Sequence, residues 1–156
     1  MGEAGDVRMV NVGPKPMTER RAVATAFVQM KPETVERLAR RDAPKGEVLA
    51  TARIAGIMAA KRTPELIPLC HTVALTKVTV DIELDVAASR VLLTATAEAV
   101  DRTGVEMEAM VAVSVACLTI YDMLKGVDRE MVLSDIKLVE KSGGKSGHFL
   151  RDEGRS

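Results

Sequence analysis

The chain has 156 residues, enough for one domain with a sizeable core, and its 22 basic residues balance 22 acidic ones, leaving no global field to attract nucleic acid or an anionic membrane. Any anion site therefore has to be local. Two cysteines and two histidines without a CxxC pair argue against a zinc site or a disulfide framework, and the aromatic set of Phe27, Tyr121 and Phe149 is too small for a base-stacking platform.

Residues 1–19 carry Gly13, Pro14 and Pro16 and no sustained periodicity, the pattern of an N-terminal arm. Its opening, MGEAGDVRMVNVG, has no apolar run of the secretory kind, and Cys70 and Cys117 read as reduced thiols, so the expected compartment is the cytoplasm. Residues 20–150 read as a single α+β domain, with a charged C-terminal tail over 151–156. RAVATAFVQM (21–30) reads as a strand, and KPETVERLAR, with proline near its start, predicts a helix over 33–41. GEVLATARIAGIMAAKR predicts a second helix over 46–62, stopped by Thr63-Pro64. Between 48 and 60 it is apolar nearly all round apart from Thr51 and Arg53, which implies burial on both sides, as at a subunit interface. VALTKVTVDIELD (73–85) and RVLLTATAEAVD (90–101) alternate as strands joined through VAAS. GVEMEAMVAVSVACLTIYDMLKG predicts a long helix over 104–126 closed by Gly126, and its apolar stretch AMVAVSVACLTIY is too short to span a bilayer. MVLSDIKLVEK (131–141) is the last predicted strand. The order β-α-α-β-β-α-β predicts a ferredoxin-like antiparallel sheet with helices on one face.

Several groups along this frame carry chemistry. Asp122 and Lys125 share a face in the last turn of the long helix. They make either a plain surface ion pair or a carboxylate that orients an acid–base lysine. Glu106 and Glu108 sit in its first turns, where the helix dipole favours carboxylates; two residues apart, at most one of them is expected in a given pocket. Glu108 and Asp122 are fourteen residues apart, roughly 21 Å along the axis, so a neighbouring subunit is expected to supply one if both serve one pocket. Cys70-His71 end a proline-stiffened loop, and Lys45-Gly46 precede a helix N-terminus, a ready anion site. KSGGKSGHF (141–149) looks like the end of a P-loop, but Val139 stands where that motif needs its first glycine and no helix follows. It leaves a turn that offers backbone N–H groups and lysines to an anion, or else a solvated tail. Arg20, Lys45, Lys61, Lys125, Lys141 and Lys145 all lie near turns and element ends, a placement that suits a polyanionic small molecule.

KGEVLATARIAGIMAAKRTPELIPLCH, TGVEMEAM, LTIYDMLK and KSGGKSG, with MVNVGPKPMTERRA before them, resemble the cyclic pyranopterin monophosphate synthase family, protein C of molybdenum cofactor biosynthesis, from Met9 to Gly147. The resemblance implies an αβ-hammerhead, ferredoxin-like lyase that converts 3′,8-cyclo-7,8-dihydroguanosine 5′-triphosphate to cyclic pyranopterin monophosphate and diphosphate. It implies a homohexamer, a trimer of dimers with sites at subunit interfaces, and a small-molecule substrate with neither nucleic acid nor membrane as partner. Asp122 then matches the catalytic aspartate, Lys125 the adjacent catalytic lysine and Lys45 a second acid–base lysine. Leu69, Cys70, His71, Met107 and Glu108 fall on substrate-binding positions, with Glu106 of the same motif taken with them, while Arg20, Lys141 and Lys145 correspond to cations around the triphosphate. The chain departs from the family pattern at Asn11, commonly Asp, and at Thr72, where Pro usually follows the histidine. No cofactor is required; Mg²⁺ can accompany the triphosphate, although no carboxylate cluster demands it. The competing readings are a non-catalytic nucleotide-binding regulator on the same fold and a purely structural oligomeric module.

Overall fold

The computed structural model describes residues 5–144 and 147–152. Its elements are β1 (Thr18–Gln29), α1 (Pro32–Ala39), α2 (Val48–Lys61), the single turn α3 (Thr63–Leu66), β2 (Leu75–Asp85), β3 (Arg90–Asp101), α4 (Glu106–Leu124), β4 (Val132–Ser142) and β5 (Phe149–Leu150). The strands form one sheet in the order β2-β3-β1-β4-β5, antiparallel throughout, and the first four give the order expected of a ferredoxin-like α+β domain.

Period-two alternation sets the layers. Along β1 the residues Ala22, Ala24, Ala26 and Val28 turn inward, and they pair across to Ala97, Ala95, Leu93 and Val91 of β3, all of them buried. This face carries mostly alanine and is covered by α4, whose Ala109, Val113 and Ile120 belong to the same core while its Ala112 and Ala116 face Gly56 of α2. Large side chains fill the remaining space: Leu93, Ile120 and Leu124 are fully buried, each contributing about 1.5–3 kcal/mol of apolar transfer. Helix α2 packs beside α4 through Ala52, Gly56 and Ala60. A Cβ placed on Gly56 would stand 2.8 Å from the Ala112 carbonyl oxygen and 3.0 Å from Val80, so any side chain there would pry the helices apart. Lys45, just before α2, meets Asp122 near the end of α4, and Gly56 meets the middle of α4; the two helices run antiparallel.

Several expectations need correction. β1 begins at Thr18 because Arg20 turns inward and satisfies its guanidinium on the carbonyls of Asp101 and Arg102, at 3.2 Å each. Thr63-Pro64 ends α2, yet the same proline opens the extra turn α3, where the first residues need no N–H partner. The C-cap of α4 is Lys125 rather than Gly126, since the N–H groups of Val127 and Asp128 both turn back to the Leu124 carbonyl. Within the chain α2 is buried along one side only: Ile54 and Met58 are exposed, as is Leu118 of α4. Finally, KSGGKSGHF leads from β4 into β5, whose Phe149 and Leu150 pair with Lys141 and Glu140. Arg151 bonds further along β4, to the carbonyls of Val139 and Leu138.

Candidate active site

The two ends of α4 hold two separate groups of polar side chains. At its C-terminal end Asp122 bridges two lysines. Its Oδ1 accepts a hydrogen bond from Lys125 Nζ at 2.7 Å, one helical turn along, and its Oδ2 accepts one from Lys45 Nζ at 3.1 Å, from the loop between α1 and α2. The bonds from Lys125 and Lys45, and then their charges, hold the Asp122 carboxyl below its ordinary value of 3.8. All three side chains are about half exposed, at 52–53 %. In this arrangement one carboxylate fixes the direction of two ammonium groups that stay open to a ligand, so the structure brings together the residues expected from LTIYDMLK and KGEVLATARIAG.

At the N-terminal end a cavity of about 370 Å³ is lined by Leu69, Cys70, His71, Glu106, Met107 and Glu108, together with the arm residues Val10, Val12 and Lys15. Leu69, Cys70 and His71 arrive on the loop after α3, and Glu106, Met107 and Glu108 form the first turn of α4. His71 Nε2 donates to the Val10 carbonyl, which draws the arm across the cavity mouth. Glu108 is 2 % exposed; one carboxyl oxygen lies 4.0 Å from Cys70 Sγ and the other, Oε1, has no partner. Burial pushes its pKa up to about 7, with the charges of Glu106 and Asp101 adding to the rise against its own backbone N–H, which lowers it. Burial, then the charges of Glu108 and Glu106, also raise the Cys70 thiol, which disfavours its thiolate. Cys117, inside α4, is pushed up to about 12 by burial alone.

Glu106 and Glu108 both line this cavity, against the expectation that only one would. Glu106 is the first residue of α4, and its carboxylate folds back over Gly104, where a Cβ would collide with it. The angular rule for two residues on a helix surface does not hold at a helix end, where a side chain can wrap around the terminus. Glu106 Oε2 then meets Lys141 Nζ of β4 at 3.3 Å. An adjoining cavity of about 250 Å³ is lined by Lys15, Pro16, Arg20, Thr103, Gly104, Glu106 and Lys141. Three cations thus stand beside the N-terminus of a 19-residue helix whose N-cap residue, Val105, supplies no side-chain cap. Lys145, counted with these cations from the sequence, lies outside the described residues. Asn11 accepts the Gly13 N–H at 3.0 Å and so shapes the arm itself.

Lys15 was not singled out from the sequence, although it lines both cavities. Its signal was available: it stands between Pro14 and Pro16, and two prolines restrict a segment otherwise read as loose. Lys61 is exposed near the end of α2 and lines neither cavity.

A family model described as the MoaC family matches residues 9–144. A cyclic pyranopterin monophosphate synthase of Roseiflexus sp. is 62 % identical over 152 residues, covering 97 % of this chain and 96 % of that protein. The protein of that name in Magnetococcus marinus is 56 % identical over 150 residues, with 96 % and 92 % covered. Cyclic pyranopterin monophosphate synthase 3 of Mycobacterium tuberculosis is 55 % identical over 153 residues, with 98 % and 86 % covered.

Proposed function

The chain belongs to the MoaC family, and from that premise we propose that it is a cyclic pyranopterin monophosphate synthase of molybdenum cofactor biosynthesis. It converts 3′,8-cyclo-7,8-dihydroguanosine 5′-triphosphate to cyclic pyranopterin monophosphate and diphosphate, a phosphorus–oxygen lyase reaction. The observation that carries the reading to this chain's own chemistry is the Lys45–Asp122–Lys125 group, two ammonium groups aimed by one carboxylate at an open face. Lys125 and Lys45 move protons as the purine-derived ring opens and the pyranopterin ring closes, while Asp122 holds their orientation. At the other end of α4, Arg20, Lys141 and Lys15 take the phosphates, helped by the positive end of the helix dipole. They stabilise the charge that develops as a ribose-derived hydroxyl attacks the α-phosphorus and diphosphate leaves. Glu108, neutral for much of the time near pH 7, can donate from its carboxyl to a ring acceptor in the cavity it shares with Leu69, Cys70, His71 and Met107. Mg²⁺ that arrives with the triphosphate is compatible with this arrangement, and no dedicated metal or redox cofactor enters it.

One molecule of this substrate does not reach both groups within one chain. The working site therefore pairs the Asp122 end of one subunit with the Glu108 end of another, in a homohexamer built as a trimer of dimers. The bare apolar side chains Ile54, Met58 and Leu118 on the outer sides of α2 and α4 support such an assembly. The reduced thiols fit a cytoplasmic enzyme. Incubating the purified protein with the cyclised GTP derivative and measuring diphosphate and a pterin product tests the reading. Tight binding without either product would leave a nucleotide-binding regulator instead.

A further inference from the structure

Asp128 is a buried carboxylate, 2 % exposed, that the chemistry above does not use. Its Oδ2 accepts the Lys31 N–H and the Thr34 hydroxyl, both at 2.9 Å, and its Oδ1 accepts the Glu130 N–H at 3.2 Å. Lys31 is the N-cap of α1, whose own side chain caps nothing. Asp128 therefore takes up the N–H of the N-cap residue, as the N3 side chain of a capping box does, but from a different part of the chain.

We propose that Asp128 is a positioning residue for the Lys45–Asp122–Lys125 group, tying α1, and through it the loop that carries Lys45, to the turn that follows Lys125. The connection can be traced on both sides. On one side the Asp128 N–H bonds the Leu124 carbonyl at 3.0 Å, so its backbone is part of the turn that closes α4 directly after Lys125. Tyr121, the neighbour of Asp122, adds a bond from its hydroxyl to the Arg129 carbonyl at 3.0 Å, which holds the same turn. On the other side α1 has eight residues, too few to be stable without docking. Beyond it the chain reaches Lys45 through a tight turn: Asp42 N–H bonds Arg37 O at 3.0 Å, Arg41 is left-handed with φ 55°, and Gly46 N–H bonds Ala43 O at 3.1 Å. The loop is thus a stiff extension of α1 at one end and runs into the packed helix α2 at the other. Without Asp128 the start of α1 is held only by the packing of Val35 and Leu38, and the 3.1 Å bond of Lys45 to Asp122 is held less firmly from that side.

The proposal rests on the catalytic reading of Lys45 only for its effect on rate, and two measurements separate the two. Competitive acetylation of lysines in the intact assembled protein, read by mass spectrometry, reports the Lys45 bond without any turnover. In Asp128→Ala, Lys45 is expected to react severalfold faster relative to the remote Lys77, while Lys125, on the same helix as Asp122, keeps its rate. Turnover with the cyclised GTP derivative should fall ~10- to 100-fold in kcat, the size of a small misplacement of a reacting group, with KM little changed. Asp128→Asn, with its amide oxygen toward α1, keeps the acceptor for Lys31 N–H and the Thr34 hydroxyl but sets its NH2 against the Glu130 N–H, and should restore both in part. Unchanged Lys45 reactivity in folded Asp128→Ala overturns the proposal, and so does a uniform rise at every lysine, which marks general loosening. If Asp128→Ala does not fold, Thr34→Val removes one of the two bonds from α1, and a Lys45 unmoved there overturns it equally. A loosened Lys45 with unchanged kcat supports the tie and removes Lys45 from the mechanism.

Discussion

Glu108 and Asp122 stand at opposite ends of α4, fourteen residues and so about 21 Å apart along the axis, each inside its own group of polar side chains. If both serve one pocket from two subunits, Glu108→Ala and Asp122→Ala are each nearly inactive, and unfolding and reassembling them together restores activity. Every mixed dimer then has one pocket with both residues and one with neither, so random pairing recovers about a quarter of wild-type activity. Shuffled subunits without recovery would show that the two residues do not complement across an interface.

Lys125→Ala is expected to cut turnover by ~100-fold or more while the assembly and its melting temperature stay near wild type. The side chain is half exposed at the helix end and touches Asp122 rather than the core, so little packing goes with it. Single-turnover assays alongside a thermal melt check both halves. Comparable turnover would take Lys125 out of the proton-transfer role.

Lys141→Ala should act on binding. The ammonium lies 3.3 Å from Glu106 beside the helix start, and removing it takes one cation from the phosphates and leaves the Glu106 charge uncompensated there. Loss of a charge-assisted contact of ~1.5–3 kcal/mol predicts a KM at least ~10-fold higher, with a smaller change in kcat. An unchanged KM would move the triphosphate away from this cavity.

The glycine pair of KSGGKSG has a comparable role through Arg20. Gly143 and Gly144 have φ of +100° and +77°, and a Cβ on Gly144 would collide with the Arg20 guanidinium. Gly144→Ala should therefore push Arg20 off the Asp101 and Arg102 carbonyls and raise KM, with the sheet intact by circular dichroism. Wild-type KM would mean that the hold of the Asp101 and Arg102 carbonyls on Arg20 is not needed for binding.

Glu108 predicts a pH dependence of stability with a definite sign. Its folded pKa of about 7 lies above the ordinary 4.5, so the folded chain binds the proton more tightly than the unfolded one. That contribution is complete below 4.5 and is lost as pH rises through about 7, on the order of 3 kcal/mol in all. Glu108→Gln should flatten denaturant-midpoint curves across this window. An equal slope in the variant would assign the effect to another group.

Most of the fold could be read from periodicity. The alternation in β2 and β3 and the long apolar helix were each strong enough to place within a few residues. What escaped depended on the ends of elements. β5 is two residues long and exists because β4 offers it an edge, and α3 is a single turn that no periodic signal can mark. The Lys45–Asp122–Lys125 group was legible because two of its members are three residues apart on one helix, whereas Asp128 was not: its partners Lys31 and Thr34 lie far away in sequence. Glu106 reached further than helical geometry suggested, since it begins the helix.

The alanine face beneath α4 acts as a hard stop. Alanine has no side-chain rotamers to lose or to adjust, so the sheet at Ala24, Ala26, Ala95 and Ala97 cannot yield to the helix by changing rotamer. A single added methyl group there cannot be absorbed by a neighbour swinging aside. It has to lift the helix, and a lifted rod moves at both tips, so a change in the middle of the sheet would be felt by Asp122 and Glu108 together.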